Sequence, residues 1–202
     1  MSNLPAFETF FFDTEKINLK TIFFDSMDNN QINSFLLDTD DNVLYKKFYN
    51  IVQGKNFHLE YKKLIEIINK KINQDFYYQT VPSIRIQNPS NISVNYHSDN
   101  WYGHGNEIIN VWVPLTELNT TNTLHLVDQK NSDKIANRFI KEKLSIKTVN
   151  EISFNLAKPF IGEYGTGLIF NSAIIHGTLK NESTIPRLSF DFRIMLKGKK
   201  SG

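Results

Sequence analysis

Cysteine is absent from these 202 residues, which excludes disulfides and thiolate metal sites and suits a reducing, cytoplasmic setting. No apolar run approaches the roughly 18 residues that a membrane span requires. Neither sign of charge dominates. Lys and Arg number 23 against 21 Asp and Glu, a net charge of +2, and the signs are interspersed. There is then no basic stripe for nucleic acid to meet. The Phe-rich start (Phe7, Phe10, Phe11, Phe12) lacks the basic flank and small-residue cleavage site of a secretory leader. Internal repeats and low-complexity linkers are also missing, so the expectation is a single domain over 1–202. Its partner is then a small molecule, with no nucleic acid and no membrane, and its oligomeric state is unreadable.

What is present divides into a helical support over 1–80, a β-rich core over 81–196 and a solvated tail over 197–202. Gln31 to Val52 carries Ile32, Phe35, Leu36, Val43, Leu44, Phe48 and Val52 at helical spacing, interrupted by the acidic stretch Asp38 to Asn42. That stretch is expected to end one helix and cap the next. Phe57 to Phe76 reads as an amphipathic helix on Leu59, Leu64, Ile67, Ile68 and Ile72, with lysines opposite. Both segments are expected to brace the outer face of a sheet. After Thr80, short strands separated by turn residues are predicted at 83–87, 92–97, 107–115, 123–127, 151–156, 167–170, 174–179 and 187–196. A helical insertion is predicted over 133–143. The fold class expected is α+β, mainly β, with the strands closing into a double-stranded β-helix, a jelly-roll barrel of cupin type.

Three of these strands carry the chemistry. In Asn91 to Asp99, alternation places Ile92, Val94 and Tyr96 on one face and Ser93, Asn95, His97 and Asp99 on the other. Gly167 to Asn171 leads into Ala173 to Thr178, which holds His176. Pro186 to Met195 groups Arg187, Ser189, Asp191 and Arg193 opposite Leu188, Phe190, Phe192 and Ile194. Strands with one apolar and one unusually polar face suit a small barrel whose interior holds a ligand. A lone His-x-Asp is most often a surface pair. Here it is followed by a distant histidine and then an arginine. Two imidazoles and one carboxylate occupy one face of an octahedral iron(II) and leave three positions for other ligands.

His97-Ser98-Asp99, His176 and Arg187-Leu188-Ser189 together resemble the iron(II)/2-oxoglutarate-dependent dioxygenases. Over residues 81–196 the likeness is nearest the phytanoyl-CoA-dioxygenase-like branch and small hydroxylases of bacterial secondary metabolism. Arg85-Ile86-Gln87, Asn110 to Thr116 and Arg187 to Arg193 carry that finer likeness. The resemblance implies Fe(II) held by His97, Asp99 and His176, with 2-oxoglutarate and O2 as cosubstrates. It further implies that Arg187 pairs with the distal carboxylate of 2-oxoglutarate, assisted by Ser189, and that succinate and carbon dioxide are released. Asp99 stands where the halogenating members of that family have a small residue, which argues against a halogenase.

Other residues have two readings each. Thr178, Asn95 and Asn110 either contact the cosubstrate or serve structure. Arg193 either takes the cosubstrate contact in place of Arg187 or pairs with Asp191 or another acid. Arg85 either reaches an anionic substrate or pairs at the surface, and Trp112 is a further candidate for the substrate wall. Trp101 and Tyr102, between Asp99 and the flexible Gly103 and Gly105, form a substrate lid or a packed loop. His104 and His125 are expected to be structural and His58 exposed. Three functions stay open: a 2-oxoglutarate-dependent oxygenase acting on a small polar metabolite, a cupin-like metalloenzyme that does without 2-oxoglutarate, and a metal-free binding barrel.

Overall fold

In the computed structural model, the chain is described over residues 6–105 and 107–197. The predicted tail therefore lies outside the described residues from 198 onward. The architecture has four layers. Helices cover the outer face of a large antiparallel sheet, a small antiparallel sheet faces its other side, and two further helices back the small sheet.

The acidic stretch behaves as the sequence predicts. Helix α2 spans Asn29–Asp38, and α3 spans Asp41–Val52 with Asp40 as its N-cap, accepting from the Asn42 amide at 2.9 Å. Asp28 and Gln31 close a reciprocal capping box at the start of α2. Helix α4, Lys55–Ile72, ends at Asn73 in the left-handed conformation that Asn tolerates. Its buried stripe is Phe57, Tyr61, Leu64, Ile65, Ile68 and Ile72. Leu59, assigned to that stripe from sequence, is exposed, as is Val43 on α3. A short helix α1, Leu19–Phe24, completes this layer.

The first eighty residues are not only helical. Strand β1 (Phe7–Phe11) and strand β2 (Phe76–Tyr78) belong to the large sheet. That sheet runs β1–β7–β4–β9–β2, where β4 is Ile108–Pro114, β7 Thr166–Asn171 and β9 Arg187–Leu196. Strand β3 (Ser83–Gln87) pairs the N-terminal half of β9, beyond the stretch that β2 pairs. Among the described residues helix exceeds strand, so "mainly β" is corrected to a mixed α and β fold with antiparallel sheets.

Alternation then sorts the side chains. Ile84, Ile86, Ile109, Val111, Val113, Ile169, Leu188, Phe190, Phe192 and Ile194 join the helix residues in one buried apolar cluster. The opposite face carries Arg85, Asn110, Trp112, Phe170, Arg187, Asp191 and Arg193, all around a cavity. The small sheet, β6 (Lys158–Pro159), β5 (Leu124–Leu126) and β8 (His176–Thr178), closes the other side of it.

Two predicted strands are different in the structure. Residues 151–156 lie in helix α6, Ile146–Leu156, started by Ser145 accepting from the Thr148 amide. Six residues of alternating polarity fit either period, and here the cap and the buried pair Val149 and Ser153, four apart, settle it as helix. The insertion predicted at 133–143 is α5, Gln129–Lys141. Residues 92–97 make no ladder except one bridge, His97 to His176. Among the described residues no helix is long and apolar enough to cross a membrane.

Candidate metal centre

His97 and His176 face each other as a hydrogen-bonded antiparallel pair. The His97 amide donates to the His176 carbonyl at 3.0 Å, and the His176 amide donates back at 2.9 Å. Their rings stand 4.4 Å apart between centroids. Asp99 follows at the start of a short 3-10 turn, Asp99–Tyr102, which Ser98 pins by donating its hydroxyl to the Ser172 carbonyl at 3.0 Å. The potential ligand atoms of His97, Asp99 and His176 all lie within 4.8 Å of one another.

Each imidazole is oriented by its backbone. His97 Nδ1 meets its neighbour's carbonyl, Asn95 O, at 2.8 Å, and His176 Nδ1 meets Ile174 O at 3.0 Å. Donation from both Nδ1 atoms leaves both Nε2 lone pairs free for a metal. Burial holds the His176 pKa down to about 4, with the nearby His97 adding to the effect, so the ring is neutral as a ligand must be. Burial would raise the Asp99 carboxyl. The hydrogen bond from Asn110 and the charge of Arg193 work against it, and Asp99 is held well below the usual carboxylate range. Two imidazoles and one carboxylate on one side of an open space fit a divalent transition metal.

The cavity beside this cluster is partly open to solvent. Arg187 lines it from the start of β9, only 1% exposed, with its guanidinium 5.6 Å from the Trp112 ring. Its Nε and Nη1 have no hydrogen-bond partner among the described residues. Burial lowers its pKa to about 10, so it is still a cation at neutral pH. A buried, unsatisfied guanidinium is costly unless an anion joins it.

The other sequence candidates separate. Asn110, Trp112, Thr178, Arg85 and Arg193 line the cavity. Asn110 donates to Asp99 at 2.5 Å, and Arg193 reaches Asp99 at 3.5 Å, not Asp191. Asp191 pairs with Arg85 at 2.7 Å. The Thr178 hydroxyl accepts from the Ser93 and Val94 amides, both at 3.0 Å, and donates to the Val94 carbonyl at 3.2 Å. That exhausts a hydroxyl's capacity, so Thr178 latches the His97 segment. Asn95 is exposed and outside the cavity lining, and it contributes its carbonyl to His97. Ser189 is fully buried with its hydroxyl unpartnered, and it does not line the cavity. Trp101 stacks on Phe139 of α5 at 4.4 Å, away from the cavity. Tyr102 is 69% exposed, edge-on to His97 at 5.6 Å. His125 is buried, and His58 and His104 are half-buried.

Sequence reasoning missed Phe170 and Leu124 on the cavity wall, and Asn150 of α6, which accepts from the Tyr96 amide at 2.9 Å. Phe170 was within reach, because it sits directly opposite Asn110 in the β4–β7 ladder. Asn150 had no local signal.

No family model matches the chain. Among curated proteins it is similar to the streptomycin biosynthesis protein StrG of Streptomyces griseus, 26% identical over 121 residues, 59% of this chain and 46% of that protein. The match thus spans about half the length of the curated relative. Among solved structures, AviO1 from Streptomyces viridochromogenes Tue57 superposes with a TM-score of 0.56 at 10% identity, over 95% of this chain and 90% of that one. HygX from Streptomyces hygroscopicus, with nickel and 2-oxoglutarate bound, gives 0.54 at 12%, over 96% and 83%. The non-heme monooxygenase ThoJ, in its apo form, gives 0.57 at 13%, over 95% and 74%. At these identities the likeness establishes the fold. The chain has the fold of these proteins, with a three-residue His/Asp/His cluster able to hold a metal ion.

Proposed function

We infer that this protein is an iron(II)- and 2-oxoglutarate-dependent oxygenase that hydroxylates a small polar metabolite. The observation that carries the reading is Arg187: a buried cation with free donors, in the same cavity as a facial His97/Asp99/His176 cluster. A dicarboxylate that chelates the metal at one end and meets a guanidinium at the other answers both features. The likeness in fold to HygX, which binds 2-oxoglutarate, and to the non-heme monooxygenase ThoJ, and the similarity to the streptomycin biosynthesis protein StrG, support it. The same reading takes the two facing sheets as a double-stranded β-helix and places the chain, on its sequence motifs, near the phytanoyl-CoA-dioxygenase-like branch.

His97 Nε2, His176 Nε2 and one Asp99 oxygen would hold the iron, leaving three positions for exogenous ligands. Iron so held supplies oxygen activation, and the net change is substrate, O2 and 2-oxoglutarate to hydroxylated substrate, succinate and carbon dioxide. The chain's own part is positioning. Arg187 binds and orients the far carboxylate, the Nδ1–carbonyl contacts keep both imidazoles aimed, and Trp112, Leu124 and Phe170 form an apolar wall that limits water.

The test is anaerobic reconstitution with Fe(II), then oxygen and 2-oxoglutarate, with succinate measured across a panel of sugars, amino acids and natural-product intermediates. Succinate release stimulated by a panel member is expected. Iron-loaded protein that neither binds 2-oxoglutarate nor releases succinate would return the reading to a cupin-like metalloenzyme.

A further inference from the structure

Asp99 lies on an irregular turn outside the His97–His176 bridge, yet its carboxylate is contacted at both oxygens. Asn110 on β4 donates from Nδ2 to Oδ2 at 2.5 Å, and Arg193 on β9 reaches Oδ1 from Nη2 at 3.5 Å. The two residues are directly opposed in the β4–β9 ladder. A rigid cross-strand pair therefore meets a carboxylate that arrives from an irregular turn. Oδ1 also lies 3.5 Å from His97 Nε2, so the oxygen left on the histidine side is the one Asn110 does not hold. Asn110 is 5% exposed and Asp99 4%, so this contact has little water to replace it.

Resting on the metal-centre reading above, we propose that Asn110 and Arg193 are positioning residues that restrict Asp99 to binding metal through a single oxygen. A carboxylate free to rotate can ligate through both oxygens, which would use one of the three positions that a chelating cosubstrate and oxygen need. Asn110 prevents that by occupying Oδ2, and Arg193 limits rotation from the cavity side while balancing the buried charge. This differs from a direct cosubstrate contact by Asn110, because the effect exists before any cosubstrate binds.

The experiment is an anaerobic cobalt(II) titration of the full chain without 2-oxoglutarate, following binding and the visible spectrum, which reports cobalt coordination. Asn110→Ala is expected to raise the cobalt Kd about 10- to 100-fold, the usual effect of losing a partner behind a metal ligand, and to alter the spectrum. Arg193→Gln should do the same to a smaller degree. A wild-type Kd and spectrum in folded Asn110→Ala, with only 2-oxoglutarate affinity reduced, would overturn the proposal and make Asn110 a cosubstrate ligand. If Asn110→Ala does not fold, Arg193→Gln on the open side of the cavity decides, and an unchanged Kd and spectrum there overturns the proposal. Wild-type protein that binds no cobalt or iron would overturn the function inferred above, and this pair's role with it.

Discussion

Arg187 and Arg193 share one strand face and one residue type, yet their surroundings give them opposite duties. Arg187 is buried with free donors, whereas Arg193 is one-third exposed in its side chain and already turned to Asp99. Arg187→Ala is therefore expected to raise the KM for 2-oxoglutarate at least tenfold, since a charge-assisted pair is worth about 1.5–3 kcal/mol. Arg193→Ala should raise it less, and the reverse ranking in steady-state assays would exchange their roles. At the centre itself, His97→Ala, Asp99→Ala or His176→Ala should each abolish turnover and stoichiometric iron, because two ligands hold iron(II) poorly. Metal analysis beside succinate release checks this, and a fully active, iron-replete variant removes that residue from the centre. At this scale the sequence was most legible. Residue type and order singled out His97, Asp99, His176 and Arg187, which the structure brings to one cavity, whereas Asn95 lies off it because one strand period was assumed across an irregular segment.

Elements carry the positioning. Segment 92–97 has no ladder of its own beyond the His97–His176 bridge, so Thr178 and Asn150 hold it. Thr178→Val keeps the shape and removes the hydroxyl, leaving two amides without their acceptor. It is expected to cost about 1–3 kcal/mol of stability in urea unfolding, and to weaken iron binding, with the KM for 2-oxoglutarate unchanged at saturating iron. A raised KM there would instead mark a cosubstrate contact. Trp101, a lid candidate from sequence, packs against Phe139 behind the small sheet. Trp101→Ala should lower the free energy of unfolding by about 1–3 kcal/mol for the lost apolar surface and ring contact. The ratio of product to succinate in the folded enzyme should not change. A fall in that ratio with stability intact would restore the lid.

Over the whole molecule, burial of neutral histidines links stability to pH. His125 is held below its ordinary value by burial, and His176 is held near 4 by burial and His97. Unfolded, each titrates near 6.5. The unfolded chain then binds more protons below that pH, so metal-free protein should lose stability as pH falls from about 6.5 toward the folded values. Thermal unfolding from pH 7 to 5 checks the sign, and His125→Asn should show a shallower slope. An equal slope in that variant would exclude His125 as a contributor.

The sequence by itself determined the pieces whose cause is local: caps at Asp28 and Asp40, the amphipathic stripe of α4, the alternating faces of β9, and the residue types at 97, 99 and 176. Only the tertiary structure decided the pieces whose cause is distant. It placed β1 and β2 in the large sheet, made 151–156 a helix, paired Arg85 with Asp191, and set Asn110 and Arg193 on opposite oxygens of Asp99. The reason is range. Capping and periodicity act within a few residues and leave a mark in the sequence. A hydrogen bond from residue 110 to residue 99, or from 193 to 99, exists only after the sheet has brought three separate segments to one wall of the cavity.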